Sequence, residues 1–214
     1  MTVTVDSGDL WDSSDEGLFA AVEAGEGEVV WTAAIAAPNS HVEPWAKACL
    51  AARAGLAADA AYLAICRPAD DHPLRVQLRE TAGAGTEAFE FAGVSGLTGE
   101  SPAFVRLERM ADDTCVRGLG SSDGVGWTAI AEHCFAEPLT HVGLAAASHG
   151  AGSLPLLFVA PTATPGAGGG GRSGPDAARG RRRRGRRRLV RMSRRTGAPA
   201  SEVGRPRDGG ARLR

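Results

Sequence analysis

The chain alternates. From Gly27 to Ala37, Val29, Trp31, Ala33 and Ile35 fall on one side of an extended segment, with other residues between them. Leu74, Val76 and Leu78 alternate with Arg75, Gln77 and Arg79, and Val105 and Leu107 alternate with Arg106 and Glu108. Phe89 and Phe91 repeat the pattern. Cys115–Leu119 and Trp127–Ala131 flank Gly120-Ser121-Ser122-Asp123-Gly124, which reads as a hairpin connection with Asp-Gly at its tip. Further short apolar runs cover Leu18–Val22, Val142–Ala147 and Leu154–Ala160. About ten short strands with Gly, Pro and Asp turns every 8–12 residues predict an all-β sandwich or barrel.

One segment resists this reading. Trp45 to Cys66 is rich in alanine, and propensity alone favours a helix. Gly55 interrupts it, and Tyr62-Leu63-Ala64-Ile65-Cys66 has strand character.

Composition divides the chain. From Arg172 onward there are 16 Arg and 3 acids; before it there are 22 acids and 8 basic residues. The front therefore carries a net charge of −14 and the end +13, so the overall −1 describes neither. Gly168–Gly171 is a glycine run, and Arg181–Arg188 is Arg with one Gly. Residues 161–214 are expected to be a disordered Gly/Pro/Arg-rich tail behind a folded domain of residues 1–160. The Arg run would attract nucleic acid by charge alone, yet such blocks are more often solvated tails, and nucleic acid is not the expected partner. No apolar stretch reaches 18 residues, and no basic-then-apolar leader is visible from Met1 to Leu10, so a cytoplasmic protein without membrane contact is expected.

The ordered set of motifs resembles a known family. Asp9 and Trp11 open it, followed by Trp45-Ala46-Lys47-Ala48 with Arg53. Arg79 and Gly83, Arg106 and Arg109, then Ser121, Asp123, Gly124 and Trp127 continue it, and Val142-Gly143-Leu144 with Ser148-His149 close it. The chain is similar to a domain-of-unknown-function family of the concanavalin A-like lectin/glucanase superfamily, related to the yeast regulation-of-enolase protein and the β-xylosidase C-terminal domain. The resemblance implies a two-sheet jelly-roll sandwich, and makes Trp45–Arg53 and Ala61–Arg67 antiparallel strands despite their alanines. Cys49 stands where the family usually has Gly. The resemblance fades after Ser153-Leu154, which leaves open an out-of-frame origin for the tail.

The candidate chemistry is sparse. Glycoside hydrolysis needs two carboxyl groups flanking the sugar bond. Glu87 and Glu90 lie three apart, on opposite faces of a strand, and Glu108 shares its face with Arg106. No catalytic residue is assigned. Asp9, Asp12, Asp15 and Glu16 cluster near Trp11, as a turn-forming acidic segment rather than an EF-hand loop. His41, His72, His133, His141 and His149 have no metal-binding spacing, and neither metal nor cofactor is expected. Cys49, Cys66, Cys115 and Cys134 are widely spaced and are expected as buried free thiols.

Lys47 is the only lysine and shares a strand face with Trp45, Cys49 and Arg53. Trp11, Trp31, Trp45 and Trp127 could stack on sugar rings if exposed; Trp31 is expected in the core, and Trp45 and Trp127 are placed there too. Trp45, Lys47, Arg53, Arg79, Asp123 and Trp127 are the candidate ligand-binding residues. The expected function is a non-catalytic binding module with carbohydrate as the leading ligand class, a reading that rests on superfamily analogy. The alternatives are a glycoside hydrolase or its accessory domain, and nucleic-acid association through the tail.

Overall fold

The computed structural model describes residues 2–6, 8–36, 43, 45–68, 73–94, 102–150, 153–165 and 188–191. All regular structure among them is β. The strands are β1 (Thr2–Val5), β2 (Leu18–Glu23), β3 (Val29–Ile35), β4 (Lys47–Arg53), β5 (Tyr62–Pro68), β6 (Leu74–Arg79), β7 (Glu87–Phe91), β8 (Ala103–Arg109), β9 (Cys115–Ser121), β10 (Thr128–Cys134), β11 (His141–Ala147), β12 (Leu154–Pro165) and β13 (Arg188–Arg191). They form two antiparallel sheets. One has six strands in the order β1-β12-β3-β8-β9-β10, the other seven in the order β13-β2-β11-β4-β5-β6-β7.

The expected sandwich is present. Trp31, Ala33, Ile35, Val105, Leu107 and Val116 from one sheet meet Leu50, Leu63, Ile65, Leu74, Val76 and Leu144 from the other in one buried cluster. Period-two alternation makes this possible, because each strand gives every second side chain to the interior. Trp31 is buried there, as its strand pattern requires.

The alanine-rich segment forms the hairpin β4–β5, with Arg53 opposite Tyr62 and Lys47 opposite Pro68. Helix propensity loses because both faces of these strands are covered. Ala48, Leu50 and Ala52 face the inter-sheet core. Cys49 and Ala51 face outward, into a second buried cluster with Leu10, Phe19, Tyr62, Ala64, Cys66, Ala145 and Ala147. A strand buried on both sides shows no polar alternation. The outer cluster is closed by the segment between β1 and β2, which carries Leu10 down onto the sheet.

The expectation of free thiols is corrected. Cys49 pairs with Cys66 and Cys115 with Cys134, each as a disulfide across neighbouring strands. The register is the reason: Cys49 stands directly opposite Cys66 in β4–β5, and Cys134 opposite Cys115 in β9–β10.

β12 continues to Pro165, five residues past the expected domain boundary at 160, shifting register on β3 between Val159 and Thr162. β13 adds to the outer edge of β2. The rest of the expected tail, including Arg181–Arg187, lies outside the described residues, as do His41 and His72. No helix among the described residues is long and apolar enough to cross a membrane.

The two disulfides differ in access, since Cys134 is exposed while Cys49 and Cys66 are fully buried. Mild reductant on the folded protein is expected to free Cys115 and Cys134 first, read by alkylation and mass spectrometry. Replacing both Cys49 and Cys66 with alanine is expected to lower unfolding stability by about 3 kcal/mol, measured by urea denaturation.

Candidate functional site

The outer face of the seven-stranded sheet carries the polar chemistry. Lys47, Cys49, Ala51 and Arg53 of β4 point to it, joined across the register by Tyr62 of β5 and by Arg75, Gln77 and Arg79 of β6. The β1–β2 segment crosses this face and divides it into a sealed half and an accessible half.

Asp15 organises the sealed half. Its two carboxylate oxygens accept from Arg53 at 2.9 Å and from Arg79 at 2.7 Å, and all three side chains are buried. Arg53 also donates to the Ala57 carbonyl, and Arg79 to the carbonyls of Asp12, Ala58 and Ala60. Tyr62 donates to the Leu10 carbonyl, and Thr86 to that of Asp12. Asp12 takes a left-handed backbone conformation, φ 56°, at the turn that presents this carbonyl. Burial raises the Asp15 carboxyl pKa, and the charges and hydrogen bonds of Arg53 and Arg79 offset part of that rise. Burial also lowers Arg53 and raises Tyr62. Arg53 and Arg79, two of the sequence-predicted binding residues, are thus committed to holding the chain together.

The accessible half lies at the other end of β4. Lys47 pairs with Asp9 at 2.6 Å. His149 reaches the other Asp9 oxygen through Nε2 at 3.5 Å and Glu43 through Nδ1 at 3.3 Å. Glu43 also accepts from the Trp45 backbone N–H at 3.2 Å. Tryptophans stand at both ends of this run. Trp11 lies with its ring centre 6.0 Å from the Lys47 ammonium, and Trp45 carries the Arg75 guanidinium 4.8 Å above its ring. Arg75 in turn pairs with Glu90 of β7. Trp11 is 43% exposed and Trp45 41%, so both rings offer surface to solvent.

Two backbone features build this corner. His149 has φ 52°, sparsely populated for a residue with a side chain, and donates its N–H to the Gly8 carbonyl. Gly8 has φ 97°, and a Cβ there would sit 1.3 Å from the Glu16 carbonyl oxygen, so only glycine fits.

The placement of Trp45 in the core is corrected. β4 begins at Lys47, so Trp45 sits in the preceding turn, beyond the cover of the sheet. The Lys47 ammonium lies over the Trp11 ring. Asp9, Glu43, Arg75 and His149 join the site without having been singled out as ligand-binding, and Trp11 joins it as one of the tryptophans able to stack on a sugar. Asp9, Trp11 and His149 did stand among the residues carrying the family resemblance.

Asp123 and Trp127 lie elsewhere, in the β9–β10 hairpin of the other sheet. Asp123 accepts from the Val125 and Gly126 amides at 2.8 and 2.9 Å and from the Ser121 hydroxyl at 2.9 Å. Those amides, with Ser121 behind them, hold its carboxyl below the usual range. Trp127 is half-buried rather than in the core, with Arg106 stacked 3.8 Å over its ring. Arg106 also approaches Glu108 at 3.7 Å, on the shared strand face that alternation predicts. Arg109 is buried, with the Gly25, Gly27 and Leu139 carbonyls as acceptors, and closes the loops at its end of the sandwich. Among the described residues no group of three or more His, Cys, Asp or Glu is arranged to hold a metal ion.

Replacing Asp15 with asparagine leaves Arg53 and Arg79 without a countercharge, and is expected to cost about 3–5 kcal/mol in urea denaturation. For Asp123 the folded carboxyl titrates below the unfolded one, so its contribution is present above the ordinary carboxylate range and lost as pH falls through the lowered value. Hydrogen exchange at Val125 and Gly126 is expected to lose protection over that acid window, and at every pH in Asp123→Ala.

No protein-family model matches the chain, and no curated protein sequence does. Among solved structures, it is similar to a functionally unknown protein from Saccharomyces cerevisiae, with 19% identity and a TM-score of 0.60 over 78% of this chain and 89% of that one. The GH43 protein BlXynB from Bacillus licheniformis is 12% identical at TM-score 0.46, over 66% of this chain and 28% of that one. Basic winged bean lectin, solved with Tn-antigen, is 11% identical at TM-score 0.44, over 77% and 92%. The two facing antiparallel sheets, with the yeast structure beside them, give the chain a two-sheet antiparallel β-sandwich fold.

Proposed function

We propose that this concanavalin A-like sandwich is a non-catalytic binding module whose ligand is a saccharide, held at the Trp11–Trp45 end of the seven-stranded sheet. One observation carries the reading. Two half-exposed tryptophans bracket an unbroken run of polar contacts through Lys47, Asp9, His149 and Glu43. A sugar has an apolar C–H face and a rim of hydroxyls; an indole ring takes the first, and carboxylate and imidazole groups take the second. Ion pairing holds these side chains in place before a ligand arrives, which reduces the ordering cost of binding.

The same geometry favours binding over hydrolysis. In this site the His149 ring is in contact with both the Asp9 and the Glu43 carboxylates. A glycosidase needs the gap between its carboxylates for the scissile bond and, in the inverting case, for a water. The β9–β10 hairpin forms a separate patch, where Asp123 serves the turn and Arg106 covers one face of Trp127.

The test is a glycan array probed with the full chain and with Trp45→Ala. Binding to at least one glycan is expected, weakened at least tenfold by Trp45→Ala, with circular dichroism unchanged. Absence of any saccharide ligand, or binding indifferent to Trp45→Ala and Trp11→Ala, overturns the proposal.

A further inference from the structure

We infer that the saccharide taken at the Trp11–Trp45 site bears an amine, so that amino sugars are selected over uronic acids; this rests on the saccharide reading above. What a ligand meets there depends on which charges reach solvent. The cations are recessed: the Lys47 side chain is 7% exposed and that of Arg75 18%. The side chains of Asp9 and Glu90 stand further out, at 29% and 48%, and that of Glu43 is 22% exposed. Lys47 is already matched by Asp9 at 2.6 Å, and Arg75 by Glu90, so neither is left over for an incoming anion.

The outward chemistry is therefore aromatic surface edged by carboxylates, with the His149 imidazole, 39% exposed, already held between Asp9 and Glu43. Ionised carboxylates only accept hydrogen bonds. A hydroxyl can donate to them. An ammonium gains more, through charge-assisted hydrogen bonds and through attraction to an indole face. A uronic acid would bring its carboxylate against Asp9, Glu43 and Glu90. The two recessed cations align the site internally: Arg75 backs the Trp45 ring and Lys47 fixes Asp9 beside Trp11.

The experiment titrates the full chain, by calorimetry, with oligomers of glucosamine, N-acetylglucosamine and galacturonic acid, at low and moderate ionic strength. Trp45→Ala is run alongside, and only the component it removes is assigned to the site, since the Arg-rich segment binds polyanions by charge alone. For that component, glucosamine oligomers are expected to bind about tenfold more tightly than the N-acetylated ones, with uronates weakest. The advantage should shrink with added salt and in the double variant E43Q/E90Q. Uronates or N-acetylated oligomers binding as tightly as the amine overturn the inference and leave the saccharide reading standing. An amine preference unchanged in E43Q/E90Q overturns it too, by removing the carboxylates from its cause. Failure of all three oligomers, with no ligand on the glycan array, overturns the saccharide reading and this inference with it.

Discussion

Asp15, held between Arg53 and Arg79, is the interaction on which the rest of the molecule depends. It ties the segment between β1 and β2 to the outer face of the seven-stranded sheet. Once tied, that segment lays Leu10 over the disulfide-bearing strands, hands its carbonyls to Arg79, Tyr62 and Thr86, and delivers Asp9 and Trp11 to the end of β4. Two cations and one anion are costly to bury, and such groups are tolerated only when their remaining hydrogen bonds are made. Here the loop carbonyls of Ala57, Ala58 and Ala60 take most of them. The sealed half of the face is thereby the scaffold of the accessible half.

The division explains which parts of the molecule could be read from residues. β3 and β8 were plain because each has a wetter side, and alternation reports wet against dry; β6 was plain because its outward residues Arg75, Gln77 and Arg79 are polar, although Gln77 and Arg79 are buried. β4 and β5 were obscure because the added cover dries both sides, and a strand of small apolar residues then imitates a helix. The Ser121-Ser122-Asp123-Gly124 turn was legible because its hydrogen bonds close within a few residues. Asp15 was not, because its partners lie far along the chain and nothing local marks them. The disulfides were closer to hand than the free-thiol expectation allowed. Once β4 and β5 are accepted as a hairpin with Arg53 opposite Tyr62, counting back places Cys49 opposite Cys66. Trp45 went astray through strand length: β4 begins two residues after it, which leaves Trp45 in a turn with its ring exposed.

The accessible half is a small region in which each charge is matched before anything binds. Lys47 has Asp9, Arg75 has Glu90, and His149 lies between two carboxylates. Its selectivity therefore comes from depth rather than from net charge. A group's reach toward solvent decides whether it speaks to a ligand or to its neighbours.

The cross-strand disulfides have a consequence for how the sheets are assembled. In a strand, a slip of one residue turns every side chain to the opposite face. In β4, whose middle is mostly small residues, the alignment is held at the ends by the ion pairs of Lys47 and Arg53. A covalent bond between directly facing residues allows a single alignment, with Cys49 on the outer side and Leu50 on the inner. The Cys115–Cys134 bond does the same for β10, which borders open solvent at the margin of the other sheet. Each bond is thus a proofreading mark as well as a brace: it records, in sulfur, the pairing the chain chose.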